Sequence, residues 1–210
     1  MIPAPAFLSN PERFMAFSRW AAPMFGVIAV ALALAGLWLG FTAPEDYQQG
    51  DTVRIMFIHV PAAWLSMFVY VCLAVASFLA LVFRHALADA AAQAAAPLGA
   101  AFTFLALVTG ALWGRPMWGA WWVWDARLTS VLVLFLVYLA YIALRASLDD
   151  EAKAARAGAI LALVGAVNLP VVKFSVDWWN TLHQGASVFR KQGPAMTNEF
   201  LWPLLLMGLA

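Results

Sequence analysis

Charge is scarce in this sequence. Asp, Glu, Lys and Arg make up only 11% of its 210 residues, less than half the roughly one quarter found in soluble domains. That shortage excludes a water-soluble globular enzyme and a disordered chain. Twelve basic and eleven acidic residues leave a formal net charge of +1. No basic footprint exists for a phosphate backbone, so nucleic acid is excluded as a partner. The single cysteine, Cys72, excludes an internal disulfide framework. What is abundant is apolar. Hydrophobic residues make up 65% of the chain, and the mean hydropathy is +0.83. The expected fold class is all-α, a polytopic membrane helical bundle forming one domain over 1–210.

A spanning helix needs ~20 mostly apolar residues to cross a hydrocarbon core ~30 Å thick. Spans are expected near 20–40, 60–83, 97–113, 128–145 and 157–173. Helices rather than strands are required, because the backbone must satisfy itself in lipid and these runs lack period-two alternation. A sixth apolar run starts at Leu201 and is still apolar at Ala210. It is expected to be an incomplete sixth transmembrane helix. Met1 to Arg19 carries Pro3, Pro5 and Pro11 without a clean apolar core, so it does not read as a cleaved signal peptide. The alanine-rich stretch from His85 to Ala96 reads as a helix extension or a short loop.

Basic residues do not decide orientation. The N-terminal segment and loops two and four hold six, and loops one, three and five hold another six, so the positive-inside rule is balanced. With five spans, however, loops one, three and five share one side. The chemically unusual residues lie there. Loop one runs Asp46-Tyr47-Gln48-Gln49-Gly50-Asp51-Thr52-Val53-Arg54 and leads into His59-Val60-Pro61. Pro61 suits the first turn of a helix, which puts His59 at the mouth of the second span. Loop five carries Asp177-Trp178-Trp179-Asn180-Thr181-Leu182-His183-Gln184-Gly185.

Loop three, about 113–127, contains Trp113, Trp118, Trp121, Trp122 and Trp124 before Asp125 and Arg127. With Trp178 and Trp179, seven of eleven tryptophans gather on the side of His59 and His183. An interfacial belt would decorate both membrane faces. A one-sided patch suits a large, flat, apolar ligand. Two histidines make a poor zinc site, which takes three or four protein ligands. Two axial imidazoles do suit haem iron, whose porphyrin supplies the other four nitrogens. No CxxCH stretch occurs, so the haem would be held without a covalent bond, as haem b. Tryptophan faces would hold the ring, and Arg54, Arg115 or Arg127 could meet its propionates.

Plainer readings apply elsewhere. His85, on the opposite side, is a helix-end residue. Asp125 can be an N-cap, Lys173 can snorkel to water, and Cys72 can be a small packing residue. Asn168 and Pro170 suggest a break near the end of the fifth span.

The segment Trp118-Gly119-Ala120-Trp121-Trp122-Val123-Trp124-Asp125-Ala126-Arg127 resembles the tryptophan-rich WWD signature of the haem-handling proteins of cytochrome c assembly. The strings DYQQG…RIMFIHVPAAW and SVDWWNTLHQG resemble the haem exporter protein C (CcmC) family within that group. The likeness runs from the first span to the sixth. It implies a six-helix bacterial inner-membrane protein with a periplasmic WWD loop. It implies that His59 and His183 are the axial haem ligands and that Trp118, Trp122, Trp124, Asp125 and Arg127 hold haem. Arg54, with Asp46 and Gln49, matches loop-one positions linked to haem and to chaperone docking. The implied partners are the haem chaperone CcmE, the transporter subunits CcmA and CcmB, the small membrane subunit CcmD, and membrane lipid.

The expected function is therefore haem binding at the periplasmic face and delivery to a chaperone, with no enzyme activity. The alternative is a b-type cytochrome membrane-anchor subunit of a quinone-linked redox enzyme. Such anchors tend to place their histidines within the spans, whereas His59 and His183 lie at one face.

Overall fold

The computed structural model describes residues 10–185 and 187–210. Pro3 and Pro5 of the N-terminal segment lie outside them. Among the described residues there are seven α-helices: α1 (Pro11–Phe41), α2 (Met56–Phe83), α3 (Ala86–Trp118), α4 (Ala126–Ser147), α5 (Glu151–Gly165), α6 (Asn168–Trp178) and α7 (Asn198–Leu209). A 3-10 turn, Asp51–Ile55, leads directly into α2. No strand occurs among the described residues; Asp46 and Gly50 form an isolated bridge. Five helical stretches are long and apolar enough to cross a membrane, with α5 and α6 together making the fifth. The chain is an all-α, polytopic bundle.

Most helices overrun the expected spans. At 1.5 Å per residue, α1 is about 46 Å long, well beyond the hydrocarbon thickness. Its first turn is capped by Asn10, whose Oδ1 accepts from Glu12 N at 2.9 Å and Arg13 N at 3.3 Å. The alanine-rich stretch is the start of α3, as its helix-favouring composition predicts. His85 caps it by accepting from Ala88 N at 3.2 Å. Pro61 does not open α2. The helix starts at Met56, so Pro61 lies in its second turn and His59 in its first. The break in the fifth span falls at Ala166–Val167, just before Asn168. There the Asn168 side chain donates to Ser130 O at 2.8 Å, tying α6 to α4. The sixth apolar run is helical, as α7, with 12 residues.

α2 is the central helix and packs on α3, α5 and α7. α4 packs on α3, α5 and α6, while α1 rests mainly on α7. Helices in lipid associate through close packing rather than the hydrophobic effect, so small residues at contacts matter. Ala92, Ala96 and Ala100 of α3 join Tyr70, Leu73, Leu134, Tyr138 and Tyr141 in one buried cluster. The tyrosines fill the space that the alanines leave. Their hydroxyls are satisfied by backbone: Tyr70 donates to Ala162 O at 3.1 Å and Tyr138 to Ser66 O at 2.8 Å. Gly99 admits the Tyr138 ring, and Gly165 admits the Tyr70 hydroxyl, in space a Cβ would occupy. At one end, Arg145 makes a two-pronged contact with Asp89, at 2.8 and 3.0 Å. Cys72 is exposed on the outside of α2 rather than packed in the core.

Candidate functional site

At one end of the bundle, loops one and five meet the end of α3 and the start of α4 around a cavity of about 510 Å³. Its size falls within the range of small-molecule sites, roughly 300–1,000 Å³. His59 and His183 both line it. Residues about 120 positions apart in sequence are thus brought to one chamber.

His59 projects from the first turn of α2 toward α3. Its Nδ1 lies 3.0 Å from Ala106 O and 3.1 Å from Thr109 Oγ1. Thr109 spends its own hydroxyl proton on Leu105 O at 2.6 Å, so its oxygen is left as an acceptor. A carbonyl also only accepts. Both partners therefore assign the ring proton to Nδ1. Gly110 makes room for the ring: a Cβ there would stand 2.9 Å from His59 Cε1. Trp113 meets the imidazole edge-on, with centroids 5.6 Å apart. Its own indole Nε1 donates to Gln49 Oε1 at 3.0 Å, which ties loop one to α3.

His183 lies between α6 and α7. Its Nδ1 is 3.2 Å from Asp125 Oδ2, and Trp118 packs edge-on against the ring at 4.9 Å. Asp125 is the N-cap of α4, where Oδ1 accepts from Leu128 N at 2.7 Å. Burial lowers the His183 pKa below the ordinary imidazole value. Asp125 opposes that shift and Arg127 adds to it. The ring is thus neutral at pH 7, the form that binds metal. Among the described residues no hydrogen bond engages Nε2 of either histidine. Each ring is oriented through one nitrogen, as metal-ligating histidines are.

The other expected site residues divide. Arg127 lines the cavity, with Nε donating to Ser175 Oγ at 2.7 Å and Nη2 to Lys173 O at 3.5 Å. Trp118 lines it too, whereas Trp122 and Trp124 pack edge-on against each other outside it. Trp124 is 75% exposed, and the buried indole Nε1 of Trp122 has no hydrogen-bond partner. Arg54 lies off the cavity lining. It pairs with Asp51 at 2.8 Å, and its Nη2 reaches Ala43 O at 3.5 Å. Of the wider tryptophan patch, Trp121, Trp178 and Trp179 are exposed. Wall residues that the sequence reading missed include Trp64, Met67, Met117, Met196 and Phe200. Met56, His59, Val60, Ala63, Trp64 and Met67 fall on one helical face of α2, and that spacing was the available signal. No group of three or more His, Cys, Asp or Glu among the described residues could hold a bare metal ion.

The sequence matches the family model "Heme exporter protein C" over residues 5–210. The chain belongs to the heme exporter protein C family. It is 61% identical over 203 residues to the heme exporter protein C of Bradyrhizobium diazoefficiens, covering 97% of this chain and 77% of that protein. It is 49% identical to the Escherichia coli K12 protein of the same name, covering 94% and 81%. The Paracoccus denitrificans protein, also so named, is 45% identical, covering 94% and 83%. Family membership and the five spanning-capable helices agree on a multi-pass membrane protein of haem transport.

Proposed function

We propose that this protein holds one haem as cargo between His59 and His183 and hands it to a haem chaperone for cytochrome c maturation. The observation that carries the reading is the pairing of two imidazoles in one cavity, each fixed through Nδ1 and each with Nε2 unengaged. Porphyrin supplies four iron ligands and two histidines complete six, which suits a site where no group of three or more His, Cys, Asp or Glu among the described residues could hold a bare metal ion. The bound form is haem b, non-covalent and bis-histidine. Trp118 contacts the macrocycle from the wall, and burial of ring area supplies the affinity, at roughly 25 cal/mol per Å² of apolar surface. Asp125 orients His183. Arg127 presents a guanidinium to a propionate. Trp122, Trp124 and Arg54 belong to the surrounding surface, where the exposed Trp124 indole meets the headgroup layer or the incoming chaperone.

The site faces the periplasm from the bacterial inner membrane. The acceptor is the chaperone CcmE, and the transporter subunits CcmA and CcmB with the small subunit CcmD complete the assembly. The protein handles its cargo and does no bond chemistry on it. Release requires at least one axial bond to break.

The deciding experiment is purification in detergent after haem-replete growth, with oxidised and reduced spectra of the wild type, His59→Ala and His183→Ala. The expected result is a six-coordinate b-type spectrum in the wild type. Each single variant then shows five-coordinate character and weaker retention. Unchanged six-coordinate spectra in both variants overturn the axial assignment.

A further inference from the structure

Among the described residues, Arg127 and Lys173 are the only arginine or lysine side chains in the cavity wall. Neither forms an ion pair within 4.0 Å of a carboxylate among the described residues. Arg127, at the mouth of α4, lies in the field of Asp125 and Asp177 without a direct ion pair, and Lys173 is exposed on α6. Basic side chains at the cavity end of membrane-spanning helices are candidates for holding an anionic ligand. Arg127 has already committed Nε to Ser175 and Nη2 to the Lys173 carbonyl. The Lys173 ammonium makes no hydrogen bond or ion pair among the described residues. The Arg127–Lys173 backbone contact fixes both cations to one stretch of α6, beside the loop that carries His183. Asp46 and Asp177 also line the cavity. The site is therefore not uniformly positive, and its cations are concentrated at the junction of α4 and α6.

We propose that Lys173 is a specificity residue that, with Arg127, selects a ligand bearing free carboxylates. The assignment rests on the haem reading above and identifies which part of the cargo this corner of the cavity reads. A lysine is a compact point charge and suits a freely rotating carboxylate. The arginine beside it is held rigid by its two hydrogen bonds. Together they favour a porphyrin dicarboxylate over its neutral ester. Burial of the ring alone would not distinguish the two.

The test uses the full chain in detergent and two probes, iron protoporphyrin IX and its dimethyl ester, titrated by absorbance. The wild type is expected to prefer the free acid by about tenfold, the scale of one charge-assisted hydrogen bond. Lys173→Met loses most of that preference with ester binding unchanged, and Lys173→Arg restores it. Unchanged ester binding also shows that the variant is folded. An intact preference in Lys173→Met overturns the assignment and leaves Lys173 as a snorkelling residue. Failure of the wild type to bind either porphyrin overturns the haem reading itself.

Discussion

Asp125 and His183 share one carboxylate contact that also starts a helix. Oδ2 lies 3.2 Å from His183 Nδ1 while Oδ1 accepts the Leu128 amide at 2.7 Å. Removing the side chain removes both. Asp125→Ala is expected to cost about 1 kcal/mol for the lost cap and to weaken haem binding by about 10- to 100-fold, as for other partners of metal-bound histidine. Asp125→Asn keeps an oxygen for the cap and loses the charge. It should therefore recover the thermal midpoint but not the affinity. Haem titration and thermal unfolding on the same samples separate the two effects.

Acid should release haem late. Burial holds the His183 pKa below the ordinary value near 6.5. Its neutral form therefore persists to more acid pH than that of an exposed histidine, and in the proposed axial role a proton would compete with iron only below the usual range. Retention is expected to be flat from pH 8 to about 6.5 and to fall beyond that. An absorbance titration that declines steadily between pH 8 and 7 would contradict the burial of this ring.

Gly110 separates fold from site. A Cβ there would approach His59 Cε1 to 2.9 Å, and turning the ring away breaks its contact with Ala106 O. Gly110 lies inside α3, where alanine is the better helix former by roughly 1 kcal/mol. Gly110→Ala should leave the thermal midpoint equal or higher while haem retention falls several-fold. Loss of stability without loss of haem would show that the ring moves aside freely.

The tyrosine core should respond in the opposite way. The Tyr138 ring occupies the space a Gly99 Cβ would fill, so Gly99→Val forces the α3–α4 contact apart, at about 1–3 kcal/mol. Tyr138→Phe loses only the bond to Ser66 O, about 1 kcal/mol. Both variants, compared at equal amounts of folded protein, should retain haem at the wild-type level. Thermal unfolding in detergent alongside haem stoichiometry reads both.

The spans were legible because apolar runs of this length admit few alternatives. Their ends were not. Pro61 suits a helix's first turn, yet it lies in the second turn of α2, because the preceding 3-10 turn carries helical structure back to Asp51. A turn that merges into a helix leaves no breaker in the sequence. Both histidines were legible as one-sided residues, but their tautomers were not. These depend on Ala106 O and Asp125, groups that packing brings near from distant positions. Gly110 had no signal of its own, since its role exists only opposite the His59 ring. The tryptophan run identified the region without distinguishing its members. Trp113 and Trp118 stand on the cavity side of α3, while Trp122 and Trp124 follow the turn at Gly119, whose φ of 75° redirects the chain.

The two imidazoles are backed by different acceptors, a neutral amide carbonyl behind His59 and an anionic carboxylate behind His183. Hydrogen bonding to an anion makes an imidazole the stronger electron donor. On the proposed assignment, a haem iron held between the two rings would meet unequal donors, the stronger on the His183 side. Release of that cargo would then begin on the His59 side, the order set by an inequality between two hydrogen bonds.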